Sequence, residues 1–164
     1  MNIAINEMME TITMVQMENL DIRTVTMGIN LLDCADSDFE QMNRRVYEKI
    51  TTYAKDLKAV AEKVEKEYGI PIINKRISIT PIAEILGQAT KEQAVQLAKT
   101  LDKAAVTLGV DFIGGFSALI NKGISKGDRV LLDALPEALT VTERVCASVS
   151  VGTTRSGINM DAVR

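Results

Sequence analysis

The chain has 164 residues, 46% of them apolar, and a formal net charge of −3 from 19 Lys and Arg against 22 Asp and Glu. That is enough apolar side chain for one real core, and acids and bases are interspersed along the chain, which leaves no basic surface for a phosphate backbone and excludes nucleic acid as a partner class. His and Trp are absent, so the commonest metal ligand and general base is missing, no metal site is expected, and any chemistry falls to Asp, Glu, Lys, Arg, Cys or hydroxyl groups.

The first stretch, "MNIAINEMMETITM", carries acids where a secretory signal carries bases. No apolar run approaches the roughly 20 residues of a membrane span. With Cys34 and Cys146 far apart in sequence, these features point to a cytoplasmic chain with reduced thiols and no membrane partner. Ile5, Met8, Ile12 and Val15 recur at steps of three and four, which predicts an amphipathic helix over 3–18 whose Met-rich stripe reads as core filling ahead of a promiscuous binding groove. "DIRTVTMGINLL" is rich in β-branched residues and apolar on both faces, the pattern of a buried strand ending at Asp33 and Cys34. Val46, Ile50, Tyr53, Leu57, Val60, Val64 and Tyr68 then keep helical spacing over about six turns, closed by Gly69 and Pro71.

"IPIINKRISIT" is a second strand, in which Lys75 and Arg76 must point to opposite faces. One of them therefore leaves the plane of the sheet toward a helix layer, a pocket or an acidic partner; a structural ion pair and recognition of a carboxylate or phosphate both fit. Thr80 and Pro81 are the cap and first residue of a short helix. Thr90 with Gln93 is a capping box, opening a helix whose inner face is Ala94, Leu97, Leu101, Ala104, Ala105 and Leu108, stopped by Gly109. "VDFIGGF" is a third strand running into a tight turn at Gly114 and Gly115. "DRVLLDALPEALTVTE" is helical on both sides of Pro136, with a kink or break there. Val145 to Val151 is a fourth strand, Gly152 to Gly157 a polar loop, and Ile158 to Arg164 the first turns of a helix with Asp161 suited to its dipole.

Alternation of this kind makes the chain α/β, with right-handed crossovers and largely parallel strands. No linker or repeat divides residues 1–164, and the uncapped last helix implies that the domain continues beyond Arg164. In such folds ligands bind beyond the carboxyl ends of the strands. The candidates there are Asp33 and Cys34, Ser78 and Thr80, Gly114 to Ser117, and the "GTTRSG" loop. That loop offers Thr153, Thr154 and Ser156 hydroxyls and the Arg155 cation at a helix N-terminus, an arrangement that either caps a helix or holds an anion. Arg76 joins them as the fork for a small anionic ligand. Cys34 and Cys146 form no paired motif, have apolar neighbours and read as inert buried thiols.

Together "DIRTVTMGINLLDC", "GIPIINKRISITP", "GVDFIGGFSALINKG" and "VCASVSVGTTRSGINMDAV" resemble the N-terminal portion of an uncharacterised prokaryotic group labelled "PFL family protein". The resemblance implies part of a ten-stranded α/β barrel similar to pyruvate formate-lyase, and a homodimer. It carries no radical chemistry, because fold does not transfer function and the two cysteines here are not adjacent. The expectation is a site for a small anionic metabolite at the strand ends, with a non-catalytic regulatory or scaffold homodimer as the alternative.

Overall fold

The strands β1 (Ile22–Ile29), β2 (Ile72–Ile79), β3 (Phe112–Leu119) and β4 (Val145–Ser150) form one sheet in the order β1-β2-β3-β4, and every neighbouring pair is parallel. This computed structural model describes residues 5–17, 21–121, 123–160 and 163, with the side chains of residues 15 and 16 left out. Strands in sequential order joined by right-handed crossovers place their connecting helices on one face. Those connections are α2 (Phe39–Tyr53) and α3 (Leu57–Tyr68), α4 (Ala83–Leu86) and α5 (Lys91–Leu108), and α6 (Lys126–Thr140). The expected α/β alternation is therefore present.

The core lies between that helix layer and one face of the sheet. Ile29, Ile77, Ile79, Ile113, Phe116, Ala118 and Val145 supply the sheet side, and Val46, Ile50, Leu97, Leu101 and Leu131 the helix side, all buried. Helix ends follow local chemistry. The Thr90 hydroxyl accepts the Gln93 N–H and the Gln93 side chain accepts the Thr90 N–H; Gly69 and Gly109 close α3 and α5 in the left-handed conformation. Ser125 and Asp128 form a second capping box at the start of α6, a signal in "ISKGD" that the sequence reading missed.

Tertiary packing overrides the local reading in several places. The helix α1 (Ile5–Ile12) continues as a π-helical turn over Thr13–Met17, but its stripe is not core: Ile5, Met8, Met9 and Ile12 are all exposed. Periodicity specifies an apolar face and says nothing about what covers it. β1 is an edge strand, largely exposed rather than buried. The long helix breaks at Ala54, whose N–H closes α2 on Ile50 while Leu57 bonds back to Ala54, and Tyr53, Val60 and Tyr68 end up exposed. Thr80 caps no helix, since the N-cap of α4 is Ile82 with no side-chain bond; its hydroxyl accepts the Leu31 N–H at 3.0 Å and ties the ends of β1 and β2 together. Pro136 sits inside α6 without breaking it, because Leu131, Ala134 and Ala138 are buried on both sides of it and the packing outweighs one lost hydrogen bond.

The paired glycines are not a turn. Gly114 and Gly115 lie within β3 at a register shift, where Gly114 faces Cys146 and Phe116 faces Ala147, leaving Gly115 as the extra residue of a β-bulge. The bulge changes the phase of the strand. Ile113 faces the helices before it, and Phe116 and Ala118 face them after it.

The C-terminal reading also changes. Gly152–Thr153 and Gly157–Ile158 pair antiparallel as a small hairpin, β5 and β6, so Ile158 starts no helix and "GTTRSG" does not lead into a helix N-terminus. Asp161, Ala162 and Arg164 lie outside the described residues. Among the described residues, no helix is long and apolar enough to cross a membrane.

Candidate functional site

Lys75 settles which face of the sheet is which. Its ammonium reaches the Glu65 carboxylate of α3 at 3.1 Å and the Ile72 carbonyl at 2.6 Å, so Lys75, like the buried Ile77 and Ile79, faces the helices. Glu65 in turn accepts the Ile72 N–H at 2.6 Å, and that backbone bond, with Lys75 second, holds its carboxyl below the ordinary glutamate range.

Arg76 then lies on the opposite face, which no helix of the core layer covers. Parallel register sets its neighbours: Thr24 beside Asn74, Thr26 beside Arg76 and Gly28 beside Ser78 on β1, Phe112 beside Arg76 and Gly114 beside Ser78 on β3, and Cys146 beside Gly114 and Ser148 beside Ser117 on β4. Two transverse rows result, Thr26–Arg76–Phe112 and Gly28–Ser78–Gly114–Cys146. The face is made of hydroxyls, an amide, a thiol, glycines and one charge, and Thr24, Thr26, Gly28, Ser78, Cys146 and Ser148 are exposed on it.

The arginine is held but not neutralised. Its guanidinium lies 5.3 Å from the Phe112 ring centroid, a cation–π contact that fixes its plane. Its Nε is buried with no hydrogen-bond partner, and no carboxylate among the described residues pairs with it. Leaving a buried donor unpaired costs about 1–3 kcal/mol. Of the two cations of "NKR", Lys75 takes a structural ion pair, and Arg76 forms none among the described residues.

The other sequence-derived candidates separate from this face. Asp33 and Cys34 form a 3-10 turn after β1 that engages α2: the Asp33 carboxylate pairs with Lys49 at 2.5 Å, which holds its acid below the usual range. Cys34 is buried, and burial, then the Asp33 charge, push its thiol up. A shallow hollow of about 320 Å³ lies over this turn, lined by Asp33, Cys34, Arg45, Glu48, Lys49 and Tyr53, in which Lys49 pairs with Asp33 and Arg45 with Asp36. A larger cavity of about 530 Å³ beside Phe39, Met42, Leu86 and Gln93 contains none of the expected residues. Thr153, Thr154, Arg155 and Ser156 are exposed in the turn of the terminal hairpin, where the Thr153 hydroxyl accepts the Ser156 N–H at 3.1 Å and lies 2.6 Å from the Ser156 hydroxyl. Thr153 and Ser156 thus bond each other within the turn. Gly115 serves the bulge.

The face thus brings together Arg76, Gly114 and Ser78 from the expected set. It adds Thr26, Gly28, Phe112, Cys146 and Ser148, which sequence reasoning missed. Cys146 is exposed, not an inert buried thiol. A signal for the face was present, because "TVTMG" and "CASVS" place small residues at every second position and "NKRIS" places Asn74, Arg76 and Ser78 there.

Comparison with known proteins places this geometry in a family. A family model described as "Uncharacterised ACR (DUF711)" matches residues 13–164. A UPF0210 protein of Clostridium botulinum (strain Alaska E43 / Type E3) is 58% identical over 159 residues, covering 97% of this chain and 35% of the relative. A UPF0210 protein of Listeria monocytogenes serovar 1/2a is 59% identical over 159 residues with the same coverage, and one of Lachnoclostridium phytofermentans is 56% identical over 161. The chain spans about a third of the length of these curated relatives.

Proposed function

The chain belongs to the DUF711 family, and on that premise we propose that it contributes to a protein that binds a small anionic metabolite on the open face of its sheet, with Arg76 as the anion fork. The observation that carries this reading is the unpaired arginine. It projects from the middle of a parallel sheet, stacked on Phe112, with its Nε buried and without a partner. A neutral polar surround of Thr26, Asn74, Ser78 and Ser148 supplies hydroxyl and amide partners for the rest of a ligand.

The larger frame of the proposal is an N-terminal part of a longer, cytoplasmic protein whose sheet continues into a barrel similar to that of pyruvate formate-lyase. Two features support it. The four strands are parallel and in sequential order with both edges unpaired, and relatives extend well beyond the matched region. In a barrel, the face bearing Arg76 becomes the interior wall.

The second reading is a non-catalytic scaffold or regulatory homodimer, and one observation favours it: the exposed apolar stripe Ile5, Met8, Met9 and Ile12 on α1, a surface of the kind buried at subunit contacts. The two readings separate by experiment. Thermal stabilisation of the whole protein by carboxylates or phosphate, lost in Arg76→Gln, is the result expected of an anion site. Absence of any shift with either anion refutes that site, and a dimer mass abolished by Met8→Lys with Ile12→Lys then supports the scaffold.

A further inference from the structure

Of the three glycines in the interiors of β1 and β3, only one is demanded by the fold. Gly115 has φ of 123°, and a Cβ there would come within 2.4 Å of Ile79 Cγ1 and 2.5 Å of the Ile79 carbonyl oxygen. Gly28 and Gly114 are different. Neither has positive φ; among the described residues a Cβ on Gly28 would meet nothing within 4 Å, and one on Gly114 would meet only the Ile77 oxygen at 3.9 Å, an ordinary contact. Glycine in a strand interior gives up about 0.5–1 kcal/mol relative to alanine. Among the described residues that cost brings no packing or conformational return.

The two positions are not scattered. Register places Gly28 beside Ser78 and Ser78 beside Gly114, so the glycines flank one small hydroxyl in a single row across three strands. At the usual spacing of about 4.8 Å between strands the row is about 10 Å wide, and Arg76 lies two residues along β2 from its centre. With glycine on both outer strands only the Ser78 side chain rises from this row, and on either side of it a ligand can approach the backbone closely.

We infer that the ligand of this face is a flat monocarboxylate, whose planar body rests on the Gly28–Ser78–Gly114 floor while its carboxylate is held by the Arg76 fork. This rests on the anion-site reading above and adds shape and charge to it. Arg76 is the only charged strand residue on the face, so a single negative charge balances it, whereas a phosphate dianion would leave one charge uncompensated. The fork geometry matches a planar carboxylate through two parallel N–H donors. The body is neutral and thin because the floor offers only a serine hydroxyl and bare backbone, bounded on the far side by the exposed Cys146.

Three probes test shape and charge separately on the whole protein: acetate, benzoate and cyclohexanecarboxylate, which carry the same charge on no ring, a flat ring and a puckered ring. NMR titration is expected to give benzoate an affinity at least about tenfold above cyclohexanecarboxylate. Gly28→Ala and Gly114→Ala should each lower benzoate affinity by about tenfold or more, leave acetate binding unchanged and leave the melting temperature of the ligand-free protein as it was or slightly higher. Arg76→Gln should remove all three probes. If the glycine variants bind benzoate like the wild type while Arg76→Gln loses acetate, the floor is wrong and the anion site stands. If neither acetate nor benzoate binds the wild type, the anion reading itself falls. A melting temperature lowered by the alanines would assign the glycines to packing against another part of the protein and overturn the floor.

Discussion

Lys75 and Arg76 are neighbours in β2 and meet opposite fates: the lysine turns into the helix layer and pairs with Glu65 at 3.1 Å, while the arginine crosses to the open face and stacks on Phe112, with no carboxylate partner among the described residues. One strand thereby sends its two cations to opposite faces, one paired and one stacked.

The Glu65 side of that division is testable by pH. Its folded-state acid is depressed, first by the Ile72 N–H and then by Lys75, so its contribution is present above the ordinary glutamate value and lost as pH falls through the depressed one. Glu65→Gln should melt below the wild type at neutral pH, and the gap should narrow as pH is lowered into the acid range. A gap that stays constant from neutral to acid pH would contradict the assignment.

Gly115 and Gly28 should respond in opposite ways to the same substitution. Gly115→Ala forces a Cβ against the backbone of β2 at an unfavourable φ, and is expected to cost roughly 3 kcal/mol or more. Gly28→Ala meets open space and should leave stability unchanged or raise it by up to about 1 kcal/mol. Denaturant melts of the two variants side by side give the comparison, and equal destabilisation would show the bulge assignment to be wrong.

Asp102 of α5 accepts the backbone N–H groups of Glu143 at 3.0 Å and Arg144 at 2.8 Å, fixing the entry to β4. Asp102→Ala strands two donors at a partly exposed site and should cost about 1–2 kcal/mol. Faster amide exchange confined to 143–145 would locate the loss; unchanged exchange there would contradict the role.

The two cysteines should differ in reactivity. Cys34 is buried and its thiol is pushed up, away from the reactive thiolate, whereas Cys146 is exposed on the open face. A thiol reagent applied to the native chain is expected to label Cys146 first and Cys34 only on unfolding. Early labelling of Cys34 would refute its burial.

The sequence is most legible where one residue's chemistry suffices. The Thr90 and Gln93 capping box, the Gly69 and Gly109 stops and the inner face of α5 are all as the spacing predicts, because each is decided within a turn or two of chain. The candidate site is less so. Arg76 and Gly114 belong together only because parallel register sets β2 beside β3, and the "GTTRSG" loop turns between two strands paired at Gly152 and Ile158 instead of opening a helix.

By itself the sequence determined the α/β alternation, the placement of the strands and the opposed directions of Lys75 and Arg76, since these follow from local propensity and a period of two. Only the tertiary structure decided that the Met stripe of α1 is exposed, that "GGF" is a bulge within β3, and that Gly28, Ser78 and Gly114 form one row. Those outcomes depend on which surfaces meet and in what register, relations between residues far apart in the chain that no local pattern encodes.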